Sequence, residues 1–337
     1  MLSLLAATTE FAASKPWEYM FDSDVVGLID PATGEMRLAA VLGHAGEVFG
    51  VAFYRRPSGL RWLLKILNDP DAGVDPEDFS VLDASKVELV RKSELRKEEL
   101  SLLNALNFKA AGRGPVWPQF QSVQPGWLPW FIDQTEAQQL LSDLPRLTAF
   151  TSLFREHPDL FENRPRGEIP FLPNPMPNRP LRVEDLEWRP LIAIPETFDG
   201  FQATNQQLAQ LRALKRDKRA VYEYGHRLLL GSSVIEQGRP CRSRVGLLVD
   251  HHDGLVLGFD LSLAPLPFAE SAGMGLIEAL MAGGSLPGTL LVDDHRLEPI
   301  LGPLCAALDL RLKLSDELAN LAEAHASLEN HMQTRPR

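Results

Sequence analysis

The chain has 337 residues, 45% hydrophobic and 23% charged, with a formal net charge of −11 and two cysteines. That length predicts two domains rather than one. The acidic balance works against nucleic acid and anionic membranes unless a local patch outweighs it, and Cys241 and Cys305 cannot supply a disulfide framework or a four-thiolate zinc site.

The opening MLSLLAATTEFAASKPW lacks the basic start of a signal peptide, and Thr8, Thr9 and Glu10 interrupt its apolar run. No stretch reaches the roughly 18 apolar residues that span a bilayer. A cytoplasmic protein with two reduced, buried thiols is expected. VVGLID (25–30) and MRLAAVLG (36–43) then flank the turn cluster PATGE, where Gly34 can take positive φ, and EVFGVAFYR (47–55) follows. Leu60, Leu63, Leu64 and Leu67 at helical spacing predict a helix over about 58–68. The result is a three-strand meander closed by a helix. Further helices are expected near 93–107 and 135–154, the second opening on the polar and acidic pair Thr135-Glu136.

Between those two helices lies WPQFQSVQPGWLPWF (117–131). Its prolines exclude a regular helix, and its aromatic rings are costly to leave in water. It reads as an irregular arm laid over the core. The sharper alternative is a pocket in which Trp117, Trp127 and Trp130 hold a small ligand or a proline-rich partner. From Pro158 to Pro195 proline dominates, fixing φ and removing donors. This stretch (158–195) reads as an extended connector between an N-terminal α+β domain (1–157) and a C-terminal domain (196–337). All six tryptophans lie before its end.

In the second half, Asn205 to Arg219 predicts a helix whose basic end, LRALKRDKR, opposes the helix dipole. The alternative is a docking patch for acidic partners, nucleic acid included. Strands are then expected at AVYEYGHRLLL (220–230), RVGLLVD (244–250) and GLVLGFDLSL (254–263). A helix over about 268–282, the buried strand TLLVD (289–293), a helix over about 296–307, LRLKL (310–314) and a last helix from Asp316 complete the chain. The order β-β-β-α-β-α-β-α implies a mixed sheet with helices on its faces.

That succession resembles the RNase H-like fold. Within it, GLLVDHHDGLVLGFDLS, a helix and LLVDDHRLEPILGPLCAALDLRLKL are similar to the catalytic core of transposon and retroviral integrases. The whole chain also resembles a bacterial family known only as a pair of domains of unknown function. DPATGE, GEVFGVAFY and PGWLPWF carry the first, over roughly 17–158, and VDHHDGLVLGF the second, over roughly 185–325. That family resemblance implies no activity. The integrase resemblance implies two Mg²⁺ or Mn²⁺ ions held for phosphoryl transfer by carboxylates on the first strand, the fourth strand and the last helix. The matching positions here are Glu223, Asp293 with Asp294, and Glu317 or Glu323. The match departs from the pattern in having Glu rather than Asp at the first strand. DDHRLEPIL also lacks the small or glycine-rich loop of integrases, and Asp294 is placed to cap the next helix.

Asp250-His251-His252-Asp253 concentrates four metal-ligand types, yet Asp253-Gly254 suits a tight hairpin. An antiparallel second strand also puts this turn at the sheet end opposite Asp293. We read it as a turn and assign no metal site. Cys305 and His325 fall on apolar helix faces and are expected in the core. VVGLIDPATGE and RVGLLVDHHDG are alike; an ancient duplication would explain it, and so would the ordinary grammar of hairpins, which we prefer.

The expectation is therefore a two-domain α+β and α/β chain, an N-terminal β-meander with helices followed by an RNase H-like mixed sheet. It acts as a non-catalytic binding or interaction module, with no cofactor and with an unidentified protein or other macromolecule as partner, not a membrane. One competing reading is a metal-dependent nuclease or related phosphoryl-transfer enzyme using Glu223, Asp293 and a last-helix Glu. Another is a small-molecule sensor with its pocket at Trp117 to Trp130. An enzyme needs the carboxylates within about 4–5 Å of shared metals.

Overall fold

A computed structural model describes residues 1–30, 33–68, 77, 80–110, 114–162, 167–191 and 195–333. The chain divides into two units. The first comprises Met1–Val74, Val81–Gln124 and Pro129–Ile194, the second Asp75–Ser80, Pro125–Leu128 and Pro195–Arg337. Both are mixed α+β, each built on a mixed sheet.

The expected meander opens the first unit as β1 (Val26–Ile29), β2 (Met36–Leu42) and β3 (Phe49–Tyr54). These pair antiparallel, with Val26 opposite Ala39 and Ala40 opposite Ala52. Gly34 turns the first hairpin at φ 73°; Pro31 and Ala32 of PATGE lie outside the described residues. The sheet then continues through β4 (Ala84–Val90), β5 (Trp117–Val123) and β6 (Trp130–Phe131). Much of the aromatic stretch expected to be irregular is thus strand. Trp117–Val123 pairs along the whole of β4. Pro118 is tolerated because β6 reaches only Gln121 and Ser122, leaving one side of β5 without a partner that needs its N–H.

The proline-rich stretch, expected as a connector, supplies β7 (Glu168–Phe171) and β8 (Glu187–Pro190). The order is β6-β5-β4-β3-β2-β1-β7-β8. The junction of β7 with β1 asks little of the backbone: Gly27 faces Phe171, and Leu172 N donates to Gly27 O at 2.9 Å. Pro165 lies outside the described residues. Helices α1 (Leu2–Ser14) and α4 (Gln134–Glu156) bury Leu4, Phe11, Leu144 and Phe150 on one face. Helix α2 (Arg56–Asn68) buries Leu60 and Leu63 on the other, and α3 is Lys97–Ala105. Helix α4 starts just ahead of Thr135 because Asp133 caps it, accepting from Glu136 N at 2.8 Å while the Glu136 carboxylate accepts from Asp133 N.

In the second unit, β9 (Lys215–Glu236), β10 (Arg239–Asp250) and β11 (Val256–Leu263) run antiparallel, and β12 (Ser285–Val292) and β13 (Arg311–Leu314) run parallel to β9. Counted from the first strand of this unit, the sheet order is 3-2-1-4-5. Helices α6 (Phe268–Gly283) and α7 (Leu297–Ala307) pack one face over Tyr224, Leu248, Leu290 and Val292. Helix α8 (Ala319–Gln333) covers Leu229, Val245 and Val249 on the other. The expected helix over 205–219 is a correction. Helix α5 spans only Asn205–Arg212, and Lys215–Arg219 begins β9. Its residues show no apolar period, but pairing of Lys215–Asp217 with Ser285–Pro287 imposes the extended form. Among the described residues no helix is long and apolar enough to cross a membrane.

Candidate functional site

Successive side chains of β9 point to opposite faces of the sheet. Glu223, Gly225 and Arg227 therefore look toward α8, and Tyr222, Tyr224 and His226 toward α6 and α7. Glu223 is 1% exposed. His251 Nδ1 lies 2.6 Å from its Oε1, and Leu321 N donates to its Oε2 at 2.8 Å. Asn320 Nδ2 donates to His251 O at 2.8 Å, fastening the same turn to α8. Gly225 permits this approach, since a Cβ there would stand 2.9 Å from Leu321 Cδ2 and 3.0 Å from His325 Nε2.

The Asp250–Asp253 segment is a closed hairpin turn. Asp250 Oδ1 accepts from His252 N at 2.8 Å, Gly254 N donates to Asp250 O at 3.0 Å, and Gly254 takes φ 72°. Asp253 Oδ1 accepts from Leu255 N at 3.0 Å.

Asp293 follows β12 and pairs with Arg227. Leu291 faces Glu223 in the register, so Asp293 lies further along, and the two acids have different partners. Asp294 accepts from Arg296 Nε and NH2 at 2.8 and 2.6 Å and from Arg296 N at 2.8 Å. Burial acts to raise the Asp294 carboxyl, but Arg296 outweighs it and holds the group below its usual range. Glu317 and Glu323 are exposed. Among the described residues no group of three His, Cys, Asp or Glu side chains is placed to hold a metal ion.

The opposite face of β9 holds a polar cluster that the sequence did not signal. His226 Nε2 lies 3.0 Å from Ser271 Oγ, which itself donates to Phe268 O. Nε2 is then the protonated nitrogen, and the buried Nδ1 has no partner among the described residues. Burial pushes His226 down to about 3, assisted by Arg244 and Arg296. Those two guanidinium groups lie 4.9 and 4.4 Å from the Phe268 ring centre. Arg244 donates to Glu77 Oε2 at 2.8 Å and to Ser80 Oγ at 2.7 Å. Burial lowers His325 to about 4, with Arg227 adding to the shift, and raises Cys305 to about 12. Both groups are therefore uncharged near neutral pH.

Trp117 and Trp130 fall in the first unit and Trp127 in the second. Each ring has its own cation: Lys92 at 5.2 Å from Trp117, Arg96 at 4.7 Å from Trp130 and Arg239 at 5.1 Å from Trp127. Sequence reasoning also missed a groove of about 810 Å³ in the second unit, lined by Leu229, Val234, Leu247, Phe259, Leu261 and Met332. Phe259 and Leu261 are 60% and 58% exposed on the edge strand β11. The apolar residues of GLVLGFDLSL were the visible signal, but only the placement of α8 shows which of them stay uncovered.

Residues 2–171 match the family model of a domain of unknown function, DUF7309, and residues 207–329 match a second, DUF6930. The two matches bear out the expectation of paired domains of unknown function. No curated protein matches the chain.

Proposed function

We propose, for a chain that belongs to the DUF7309 family, a non-catalytic binding role, with an RNase H-like domain as its second unit. The order 3-2-1-4-5, with its second strand antiparallel and helices on both faces, supports the fold reading. The observation that carries the role is the engagement of Glu223. Two-metal phosphoryl transfer requires a first-strand carboxylate offered to the ions, whereas both oxygens of Glu223 tie the β10–β11 turn and α8 to β9. The exposed apolar edge of β11 beside the groove supplies a surface of the kind that marks interaction sites. The proposed partner is a macromolecule, met in the cytoplasm without a cofactor.

Thermal unfolding with and without millimolar Mn²⁺, on the unaltered chain and on Asp293→Asn, tests this reading. A ligand at about 100 times its dissociation constant stabilises the native state by about 2.7 kcal/mol. The expected result is no Mn²⁺-dependent shift in either protein. A shift in the unaltered chain that disappears in Asp293→Asn would overturn the proposal and restore a metal-dependent nuclease built on Glu223, Asp293, Asp294 and Glu317.

A further inference from the structure

The basic run at the start of β9 meets further cations from β13. Lys215 stands opposite Ser285 of β12, while Arg311 and Lys313 stand opposite Thr289 and Leu291. Leu310 and Leu312 turn into the core beneath α6 and α7, so Arg311 and Lys313 point to the other side of the sheet. On that side α8 packs over β9 and β10. Lys215 and Arg219 share that side with Asp217, and Lys215, Arg219, Arg311 and Lys313 are all exposed. Among the described residues none of them is in an ion pair. By contrast, Arg216 is held by Asp309, and Arg212 donates to Ala307 O at the end of α7. From the level of Lys215 to that of Lys313 the array spans roughly 20 Å of strand.

We infer that this face binds the phosphodiester backbone of a nucleic acid, without reading its sequence. Protein partners are anchored by aromatic and apolar side chains in pockets, and the large apolar residue exposed on β13 is Leu314 alone. Phosphate contacts need only the reach and charge of Lys and Arg. The net charge of −11 does not prevent this, because salt screens it beyond about 10 Å at 0.1 M while the array acts at contact. The inference rests on the non-catalytic binding reading above and gives it a second surface, at the sheet edge opposite β11.

Fluorescence anisotropy on the full chain tests it, with a short DNA duplex, single-stranded DNA and RNA of equal length, and polyglutamate as probes. Contacts to about four phosphates of a duplex predict an affinity that falls roughly 10²-fold between 50 and 200 mM salt. The triple variant Lys215→Glu, Arg311→Glu, Lys313→Glu should lose binding at least tenfold. The variant Arg91→Glu, Lys97→Glu, Lys109→Glu changes net charge equally on exposed residues of the first unit and should retain it within a few-fold. Comparing duplex with single strands identifies which nucleic acid supplies the backbone. Absence of binding at low salt, equal loss in both variants, or equal affinity for polyglutamate would overturn the inference and leave the non-catalytic reading standing. Cleavage of a bound probe in Mn²⁺ would do the reverse.

Discussion

In the first unit buried acids meet arginines. Arg37, 2% exposed, donates from Nε and NH2 to Asp143 at 2.7 and 3.2 Å and from NH1 to Asp30 at 3.0 Å. Arg55 bonds Asp83 at 2.6 Å and pairs with Glu136. In the second unit the most buried acid among the described residues, Glu223, meets a histidine and a backbone N–H, and two buried imidazoles stay neutral. The difference teaches what each core depends on. Guanidinium groups stay charged at every accessible pH, so the first network depends on its carboxylates. The second has one such pair in Arg244 and Glu77 and adds buried imidazoles that in water would titrate near pH 6.5.

Asp143→Ala should break the comparison most severely. It leaves Arg37 in the core with Asp30 as its one carboxylate, and removing one partner of a buried pair costs about 3–5 kcal/mol. Denaturant unfolding measures it. Adding Arg37→Met should recover part of the loss, because one of the two guanidinium groups that face position 143 is then gone. No recovery would mean that Asp143 matters through Arg146 or through packing instead.

Acid should act next, and on the second unit. The folded values of about 3 for His226 and about 4 for His325 lie below the unfolded value near 6.5. The unfolded chain therefore takes protons first as pH falls. Stability present at pH 7 is lost progressively from about pH 6.5 toward those folded values. At pH 5 each histidine contributes about 2 kcal/mol of loss. Native-state hydrogen exchange reads the two units separately, so amides of β9 and β12 should lose protection between pH 7 and 5. His226→Asn should remove about half of that slope. Equal loss in the first unit would erase the contrast.

Glu223→Gln sharpens the second half of the comparison. The amide oxygen can still accept from Leu321 N, but His251 loses a charged acceptor. Hydrogen bonds to charged groups contribute about 1.5–3 kcal/mol, and His251 is 40% exposed, so about 1–2 kcal/mol is expected in a urea melt.

The features that were legible in the sequence are local ones. The β10 and β11 strands show their apolar runs, and Asp250 with Gly254 carries a turn whose hydrogen bonds close within five residues. What escaped was decided by residues far away. Lys215–Arg219 is polar and suits a helix, and it is a strand because β12 lies beside it. Trp117–Val123 has the composition of an arm and is ordered by β4. Glu223 is visible in the sequence as an acid within a β-prone run. Its occupation by His251 and Leu321 depends on a turn and a helix 28 and 98 residues away. His226 gave no signal, since its burial comes from α6 and from the arginines around Phe268.

Asp293→Asn should have the smallest effect on stability. Arg227 is 44% exposed, and exposed pairs contribute about 0–1 kcal/mol. An unfolding midpoint close to that of the unaltered chain is therefore expected. A loss above about 2 kcal/mol would place the pair with the buried networks, beside the Arg244–Glu77 pair of the same unit. Near neutrality is also what makes this variant informative about function. A protein that folds as before can still lose a Mn²⁺ response, and that loss could then be assigned to the carboxylate itself rather than to a weakened fold. Glu223→Gln cannot separate the two, because the carboxylate that would face a metal also holds the β10–β11 turn and α8 in place.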